Sequence, residues 1–250
     1  MSGHSKWATI KRKKGKTDAE RGKKFTRLIK ELTTAAREGG GDPDGNPRLR
    51  TAIASAKAEN MPADNIKRGI LKGTGELPGV TYEAATYEGY GPGGVALYLE
   101  TLTDNKNRMV AEIRHTLTKY GGNLGASGCV AWMFDKRGVI TVDTDVTDED
   151  TLMEVALEAG ADDMTSDTGA FEIIMEAGVL DDVRTAIEAK GIKIELAEVT
   201  MIPQNTTKLT KENEAKSMLK MIDILEDNED VQKVYSNFDI DQDMLERLAE

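Results

Sequence analysis

The sequence predicts an α+β protein, with an N-terminal three-helix bundle followed by two ferredoxin-like α/β domains, the third inserted in the second. Three observations predict this class. Apolar residues recur at helical spacing over residues 17–75, short strands alternate with helices after residue 81, and residues 138–199 contain one complete βαββαβ order. A helix at 210–226 and a strand at 231–238 are left without partners, which indicates that they complete the domain begun at residue 81.

Three segments predict the helical bundle. The first helix begins at Thr17, whose capping box with Glu20 precedes apolar residues at helical spacing, and it ends in the Gly- and Pro-rich stretch 39–47. Residues 48–60 and 61–75 predict two shorter helices. The first helix is expected to place its apolar residues on one face and its cations on the opposite face.

Strands and one helix predict the middle domain. Residues 81–89 and 94–103 are predicted strands on either side of a glycine-rich connection, which we interpret as a tight hairpin that requires positive φ. A helix follows at 105–120, and residues 128–138 predict another strand. Cys129 opens this predicted strand, and we expect it to be a buried, inert thiol.

The inserted domain and the domain boundaries follow from the same patterns. Its six predicted elements are a strand at 138–143, a helix at 148–159 capped by Thr147, a strand pair around 162–175, a helix at 179–190 and a strand at 193–199. The expected boundaries are 1–78 for a basic arm and the helical bundle, 79–136 plus 200–250 for a discontinuous α/β domain, and 137–199 for the inserted ferredoxin-like domain.

Positive charge is concentrated at the N-terminal end of an acidic chain. The formal net charge is −11, yet the first thirty residues hold eleven Lys or Arg and two Asp or Glu, whereas residues 81–250 hold 15 and 35. This asymmetry predicts a polyanionic partner, because clustered cations release counterions from a phosphate backbone and bind it without reading bases. The alternatives are a solubilising basic tail and an adaptor whose arm binds acidic proteins.

The candidate nucleic-acid-binding residues lie in an irregular N-terminal arm, which comprises residues 1–16, and in the first and third predicted helices. They are Lys6, Lys11, Arg12, Lys13, Lys14, Lys16, Lys23, Lys24, Arg27, Lys30, Lys67 and Arg68. The segment 103–116 adds Lys106, Arg108 and Arg114 as a secondary contact, for which the alternative is an ordinary capped surface helix. No helix carries an array of Asn, Gln and Arg suited to reading major-groove base edges, so base-sequence specificity is not predicted.

Catalytic, metal and cofactor sites are not predicted. The chain lacks GxSxG, HExxH, CxxC and P-loop motifs, and its histidines are His4 and His115. The acidic stretch 143–150 lacks the turn glycine of an EF-hand loop and is explained by helix capping. We therefore expect a protein that is not an enzyme and needs no cofactor.

Membrane association is not predicted either. No run of eighteen apolar residues occurs, and no apolar core follows the basic N-terminus as it does in a secretory signal. The single cysteine favours a reducing compartment, so a cytoplasmic location is expected. The acidic domains lack the aromatic residues with which an open RNA-binding sheet stacks on bases, and we expect them to contact protein partners.

Five sequence blocks closely resemble the YebC family. They are "GHSKWATIKRKKGKTDAERGKKFTRLIKELTTAAREGGGDPDGNPRLRTAI", "NMPADNIKRGILKGTGE", "YEGYGPGGVA", "TDNKNR" and "GGNLGASGCVAWMF". The family includes bacterial proteins described as probable transcriptional regulators and a mitochondrial translational activator of cytochrome oxidase. The resemblance implies a three-domain protein without enzyme activity, the third domain set within the second.

The resemblance implies two functions. One is DNA binding at promoters, as a regulator of transcription. The other is a ribosome-associated role in translation, binding ribosomal RNA and relieving stalling at stretches such as consecutive prolines. Both would use the basic N-terminal surface, so the expected partner is duplex DNA or ribosomal RNA, with the ribosome or other proteins on the acidic domains.

Overall fold

The computed structural model describes residues 3, 6–8, 18–167 and 169–249. These residues form helices and mainly antiparallel sheets, which confirms the predicted α+β class. They divide into two compact units. The first unit holds residues 18–130 and 209–234, and the second holds residues 3, 6–8, 131–167, 169–208 and 235–249. Within the described ranges, no helix combines the length and the apolar character needed to cross a bilayer.

The N-terminal bundle contains the three predicted helices, α1 (Asp18–Gly39), α2 (Pro47–Ala58) and α3 (Ala63–Thr74). Asn46 caps α2, because its Oδ1 accepts the N–H of Leu49 at 3.1 Å while its Nδ2 donates to the carbonyl of Ala35 at 2.8 Å. Leu32 of α1 and Leu49 of α2 are fully buried in the bundle core. The predicted cap at Thr17 lies outside the described residues.

Gly73 allows α3 to approach α1 closely. A Cβ at this position would lie 2.4 Å from the carbonyl oxygen of Thr33 and 2.7 Å from the Cβ of Ala36. We expect Gly73→Ala to lower the free energy of unfolding by about 1–3 kcal/mol, because the two helix backbones must separate. The matched control is Gly22→Ala in α1, where a Cβ meets nothing within 4 Å and should stabilise the helix by about 0.5–1 kcal/mol. Urea denaturation measures both, and equal effects would contradict the close approach.

The first sheet begins with a hairpin. Strands β1 (Glu83–Tyr90) and β2 (Ala96–Thr103) are antiparallel, and helix α4 (Lys106–Lys119) leads to the short edge strand β3 (Asn123–Leu124), which pairs with β1. The hairpin connection contains Gly93 at φ 68° and Gly94 at φ 78°. The predicted need for positive φ in this connection is therefore confirmed.

The second sheet has the ferredoxin-like arrangement. Its elements are β4 (Phe134–Asp143), α5 (Glu149–Glu158), β5 (Asp163–Asp167), β6 (Ala170–Glu176), α6 (Leu180–Ala189) and β7 (Leu196–Pro203). The strand order is β5–β6–β4–β7, and all three neighbouring pairs are antiparallel. Ile140 and Ile173 on one face of this sheet share a buried core with Leu152 of α5 and Ile187 of α6.

The chain then returns to the first sheet. The remaining elements are β8 (Thr207–Lys208), α7 (Glu212–Asp227), β9 (Val231–Ser236), β10 (Phe238–Asp239) and α8 (Gln242–Ala249). Strand β9 lies beside β2, which gives the order β3–β1–β2–β9, while β8 and β10 form a separate parallel pair. The predicted insertion of one sheet domain into the other is confirmed by this return. The residue boundaries of the three domains stay a prediction.

Four details of the sequence prediction are wrong. The strand predicted at 128–138 is a turn and a 3₁₀ segment as far as Met133, after which β4 runs unbroken into the strand predicted at 138–143. Asp148, not Thr147, caps α5, because its Oδ1 accepts the N–H of Thr151 at 2.9 Å. The strand predicted at 193–199 begins at 196 and ends at 203, and α8 was not predicted.

Candidate nucleic-acid interface

The cations of α1 meet a short acidic segment of the same unit. Lys23, Arg27 and Lys30 follow one another at helical spacing, so they share one face of the helix. This face lies against residues 227–230, which connect α7 to β9 and which we call the acidic turn. Lys23 Nζ forms an ion pair with Asp227 Oδ1 at 2.9 Å, and Arg27 Nη2 donates a hydrogen bond to the Asn228 carbonyl at 3.3 Å. Lys30 Nζ donates to the Glu229 carbonyl at 3.0 Å and forms an ion pair with the Asp230 carboxylate.

Asp230 forms the buried part of the contact between α1 and the acidic turn. Both Lys30 and Asp230 are 7% exposed. The Asp230 carboxylate also accepts hydrogen bonds from Thr103 Oγ1 at 2.8 Å and from Arg108 Nη2 at 2.7 Å. Burial tends to raise the pKa of Asp230, but the hydrogen bonds from Lys30, Arg108 and Thr103 outweigh it and hold the pKa below its ordinary value. Asp230 is therefore ionised and joins α1 to the end of β2 and the start of α4.

A further cation of α1, Lys24, is also paired within the fold, and Arg27 lies close to carboxylates. Lys24 Nζ forms an ion pair with Glu59 Oε1 at 2.9 Å. Burial lowers the pKa of the Arg27 guanidinium, while the nearby carboxylates of Glu226 and Asp227 raise it. The basic face that the sequence predicts to be opposite the apolar face is therefore also packed, and its cations are partly neutralised by carboxylates of the first unit.

The predicted secondary contact is mostly neutralised as well. Lys106 Nζ lies 2.5 Å from Glu83 Oε2, and Arg108 Nη2 lies 2.6 Å from Asp104 Oδ1. Arg108 donates hydrogen bonds to the carboxylates of Asp230 and Asp104, and these bonds raise the pKa of its guanidinium. Arg114 differs, because it is exposed and has neither an ion pair nor a side-chain hydrogen bond to any other described residue. Lys106 and Arg108 therefore fit the alternative of an ordinary capped surface helix, whereas Arg114 is available to bind a ligand.

The exposed cations of the bundle that have no side-chain partner among the described residues lie on α2 and α3. Lys67 and Arg68 are exposed on α3 as two of the predicted site residues. Arg50 and Lys57 are exposed on α2 and were not predicted, although their spacing of seven residues places them on one face and could have been noticed. None of the four makes an ion pair or a side-chain hydrogen bond with another residue in the described part of the chain. We call Arg50, Lys57, Lys67 and Arg68 the exposed bundle cations.

The arm contributes less to the described structure. Lys6 is half-buried and stands next to Trp7, which is buried. The other arm residues predicted to bind phosphate, Lys11, Arg12, Lys13, Lys14 and Lys16, lie outside the described residues. Their role stays a prediction.

Among the described residues no group of three or more His, Cys, Asp or Glu is placed to hold a metal ion. Cys129 is half-buried in a turn and does not open a strand. Burial and the neighbouring Glu88 carboxylate both raise the pKa of its thiol, so the reactive thiolate is disfavoured.

A shallow cleft of about 380 Å³ lies on the second sheet, and Arg137 in its lining forms ion pairs with Asp162 and Glu176.

Comparison with known proteins identifies the same family along most of the chain. A family model described as the TACO1/YebC protein N-terminal domain matches residues 5–76, and one described as the TACO1/YebC second and third domain matches residues 82–238. These two matches contain nearly all of the sequence blocks that carry the YebC resemblance.

Curated relatives and a solved structure agree with these matches. A "probable transcriptional regulatory protein" of Desulforapulum autotrophicum is 60% identical over 248 residues, covering 99% of this chain and 100% of the relative. A protein with the same description from Geobacter sulfurreducens is 58% identical over 248 residues, with the same two coverages. The crystal structure of a conserved hypothetical protein from Aquifex aeolicus matches with a TM-score of 0.81 at 45% identity, covering 91% of this chain and 93% of that one.

Proposed function

Because this chain belongs to the TACO1/YebC family, we propose that it regulates gene expression by binding the phosphate backbone of duplex DNA through its N-terminal bundle and arm. Its relatives are named as probable transcriptional regulatory proteins, which supports a regulator at the level of the family. The observation that carries the proposal is the set of exposed bundle cations, which stand unneutralised on α2 and α3 of a chain whose net charge is −11. Four such cations can each release counterions from a nucleic-acid backbone.

The chemistry of α3 favours backbone contacts over base reading. Its exposed polar side chains include Lys67, Arg68 and Asp64, whereas Asn65 is half-buried. Lysine and arginine can each neutralise a phosphate wherever one is within reach, but base readout needs several amide and guanidinium groups aimed into one groove. The proposed binding therefore has strong salt dependence and weak dependence on DNA sequence.

The same observation supports a second function, in which the ligand is ribosomal RNA and the protein acts as a ribosome-associated translation factor that relieves stalling. Recognition by charge and shape suits a structured RNA as well as a DNA duplex, because A-form helices are recognised largely through phosphates and 2′-hydroxyls. The acidic remainder of the chain would then contact ribosomal proteins.

Matched double variants test the backbone contact. Lys67→Ala with Arg68→Ala removes two exposed bundle cations, and Lys190→Ala with Lys193→Ala removes two exposed cations from the end of α6 and the turn that follows it. For a 30-base-pair duplex, the first pair should flatten the slope of log K against log[salt] by about 1.8 and weaken binding on the order of 60-fold at 0.1 M salt. The second pair should leave both unchanged. Equal effects of the two pairs would contradict a specific surface on the bundle.

The arm is tested separately. Replacing Lys11, Arg12, Lys13 and Lys14 with Ala should flatten the salt slope by about 3–4 if all four contact phosphates. An unchanged slope would remove the arm from the interface without affecting the bundle surface.

Crosslinking in growing cells, with sequencing of DNA and RNA together, distinguishes the two ligands. Discrete promoter fragments that are lost in the Lys67→Ala, Arg68→Ala variant support the transcriptional function. A single location in ribosomal RNA, lost in the same variant, supports the translational one and contradicts DNA as the ligand.

A further inference from the structure

The acidic turn occupies the part of α1 that carries the highest density of predicted phosphate contacts. A carboxylate oxygen of Asp227 and the main-chain carbonyls of Asn228 and Glu229 sit against the side chains of Lys23, Arg27 and Lys30. Phosphate oxygens engage lysine and arginine through the same kind of charge-assisted hydrogen bond. The turn therefore presents to α1 the chemistry that a nucleic-acid backbone would present.

We infer that the acidic turn is an internal competitor of nucleic acid: it covers a second phosphate-binding surface, formed by the N-terminal half of α1, and limits the affinity of the protein for the backbone. This inference rests on the proposed function and extends it from the exposed bundle cations to a surface that is covered in this structure. The ligand of the covered surface is a phosphodiester backbone, the same ligand that the exposed bundle cations bind.

The contact between α1 and the acidic turn has a buried end, at Lys30 and Asp230, and a solvent-exposed end, at Lys23 and Asp227. At the buried end, Asp230 pairs with Lys30 and also accepts hydrogen bonds from Thr103 and Arg108. We therefore expect the Lys30–Asp230 ion pair to persist when nucleic acid binds. At the solvent-exposed end, the side chain of Lys23 is 34% exposed and that of Asp227 is 63% exposed. Solvent-exposed ion pairs contribute little to stability, so an incoming phosphate can displace Asp227 from Lys23 without opening the buried end.

Arg27 lies between the two ends and adds to the covered surface. Its guanidinium donates to the Asn228 carbonyl at 3.3 Å, a long hydrogen bond to a neutral acceptor. Its Nε has no partner among the described residues. A phosphate that reaches Lys23, one helical turn before Arg27, offers this guanidinium a charged acceptor in exchange for a neutral one.

Asp227→Asn tests the inference directly. Removing this carboxylate frees Lys23, and this additional phosphate contact should steepen the slope of log K against log[salt] by at least about 0.9 and raise the affinity for a 30-base-pair duplex at least about eightfold at 0.1 M salt. The control is Asp181→Asn, which removes an equally charged, exposed ion pair with Arg184 on α6. The control should change the affinity less than twofold.

A double variant separates release of Lys23 from a general change in net charge. In the Lys23→Ala background, Asp227→Asn should have no further effect, because the released cation is absent. A gain that persists in this background, or one that Asp181→Asn reproduces, would overturn the inference. An unchanged urea midpoint for Asp227→Asn shows that the buried end is intact.

Failure of the inference differs from failure of the proposed function. If wild-type protein binds with a slope that depends on Lys67 and Arg68 and Asp227→Asn changes nothing, the inference is overturned and the proposed function stands. If the wild-type protein shows no salt-dependent binding to duplex DNA or to ribosomal RNA, both are overturned.

Discussion

Asp230→Ala is expected to lower the free energy of unfolding by about 3–5 kcal/mol, the cost of removing one partner from a buried ion pair. The carboxylate neutralises Lys30, which is itself buried, and it accepts hydrogen bonds from Arg108 and Thr103. Its loss leaves a buried ammonium without a counterion and a buried hydroxyl without its acceptor. The effect is large because one side chain satisfies three donors from three different elements.

Urea denaturation of matched variants measures this effect. Asp227→Ala removes a carboxylate from the same turn, but its partner Lys23 stays in contact with solvent, so the cost should be below about 1 kcal/mol. Lys30→Met with Asp230→Leu, which removes both charges, should cost less than Asp230→Ala alone because it leaves no unpaired charge buried. Equal costs for Asp227→Ala and Asp230→Ala would show that Asp230 is no more important than an exposed residue.

The same residue predicts how stability depends on pH. The pKa of Asp230 is lower in the folded protein than its ordinary value of 3.8, so the folded state binds fewer protons than the unfolded state near that pH. The stabilisation is fully present above pH 4 and is lost as the pH falls through the folded pKa. Asp230→Asn should therefore weaken the dependence of the unfolding free energy on pH below 4, measured by urea denaturation from pH 2 to 6.

Glu88→Ala is expected to lower the free energy of unfolding by about 3–6 kcal/mol, because its carboxylate accepts two hydrogen bonds and each one to a buried charged group contributes about 1.5–3 kcal/mol. Glu88 is buried, and its two carboxylate oxygens accept the N–H groups of Gly128 at 2.6 Å and Val130 at 2.8 Å. The carbonyl of Glu88 also accepts the N–H of Gly125 at 2.8 Å. The carboxylate thus organises the turn between β3 and β4.

Glu88→Gln provides the control for size and shape. Its amide oxygen can accept one of the two N–H groups, while its NH₂ group faces the other, so about half the cost should remain. Amide hydrogen exchange provides a second measurement. The N–H groups of Gly128 and Val130 should exchange faster in Glu88→Ala than in the wild type, whereas amides in the helical bundle should not. Unchanged exchange at both positions would contradict the role of Glu88.

The helices and most strands could be predicted because they depend on neighbouring residues. Apolar spacing over residues 17–75 predicts three helices, and the structure contains all three. The glycine-rich connection between β1 and β2 predicts a tight hairpin, since positive φ is a local requirement. The first part of the strand predicted at 128–138 is wrong for a non-local reason, and only its residues from 134 onward are in a strand. A carboxylate forty residues earlier in the chain binds the backbone N–H groups of this apolar segment and holds it in a turn.

The candidate nucleic-acid interface could be predicted less well than the helices and strands, because it depends on contacts between distant parts of the chain. The sequence predicts which residues carry positive charge and that this charge is concentrated near the N-terminus. It does not predict which cations remain unneutralised, because the carboxylate that neutralises Lys30 is 200 residues away in the chain. Ion pairs form at Lys23, Lys30 and Arg108. The cations that stay exposed are Lys67 and Arg68, together with Arg50 and Lys57, which were not predicted. Periodicity reports the side of a helix on which a charge lies, but only the packed fold decides whether that side faces water or a carboxylate, since ion pairing depends on distance in space.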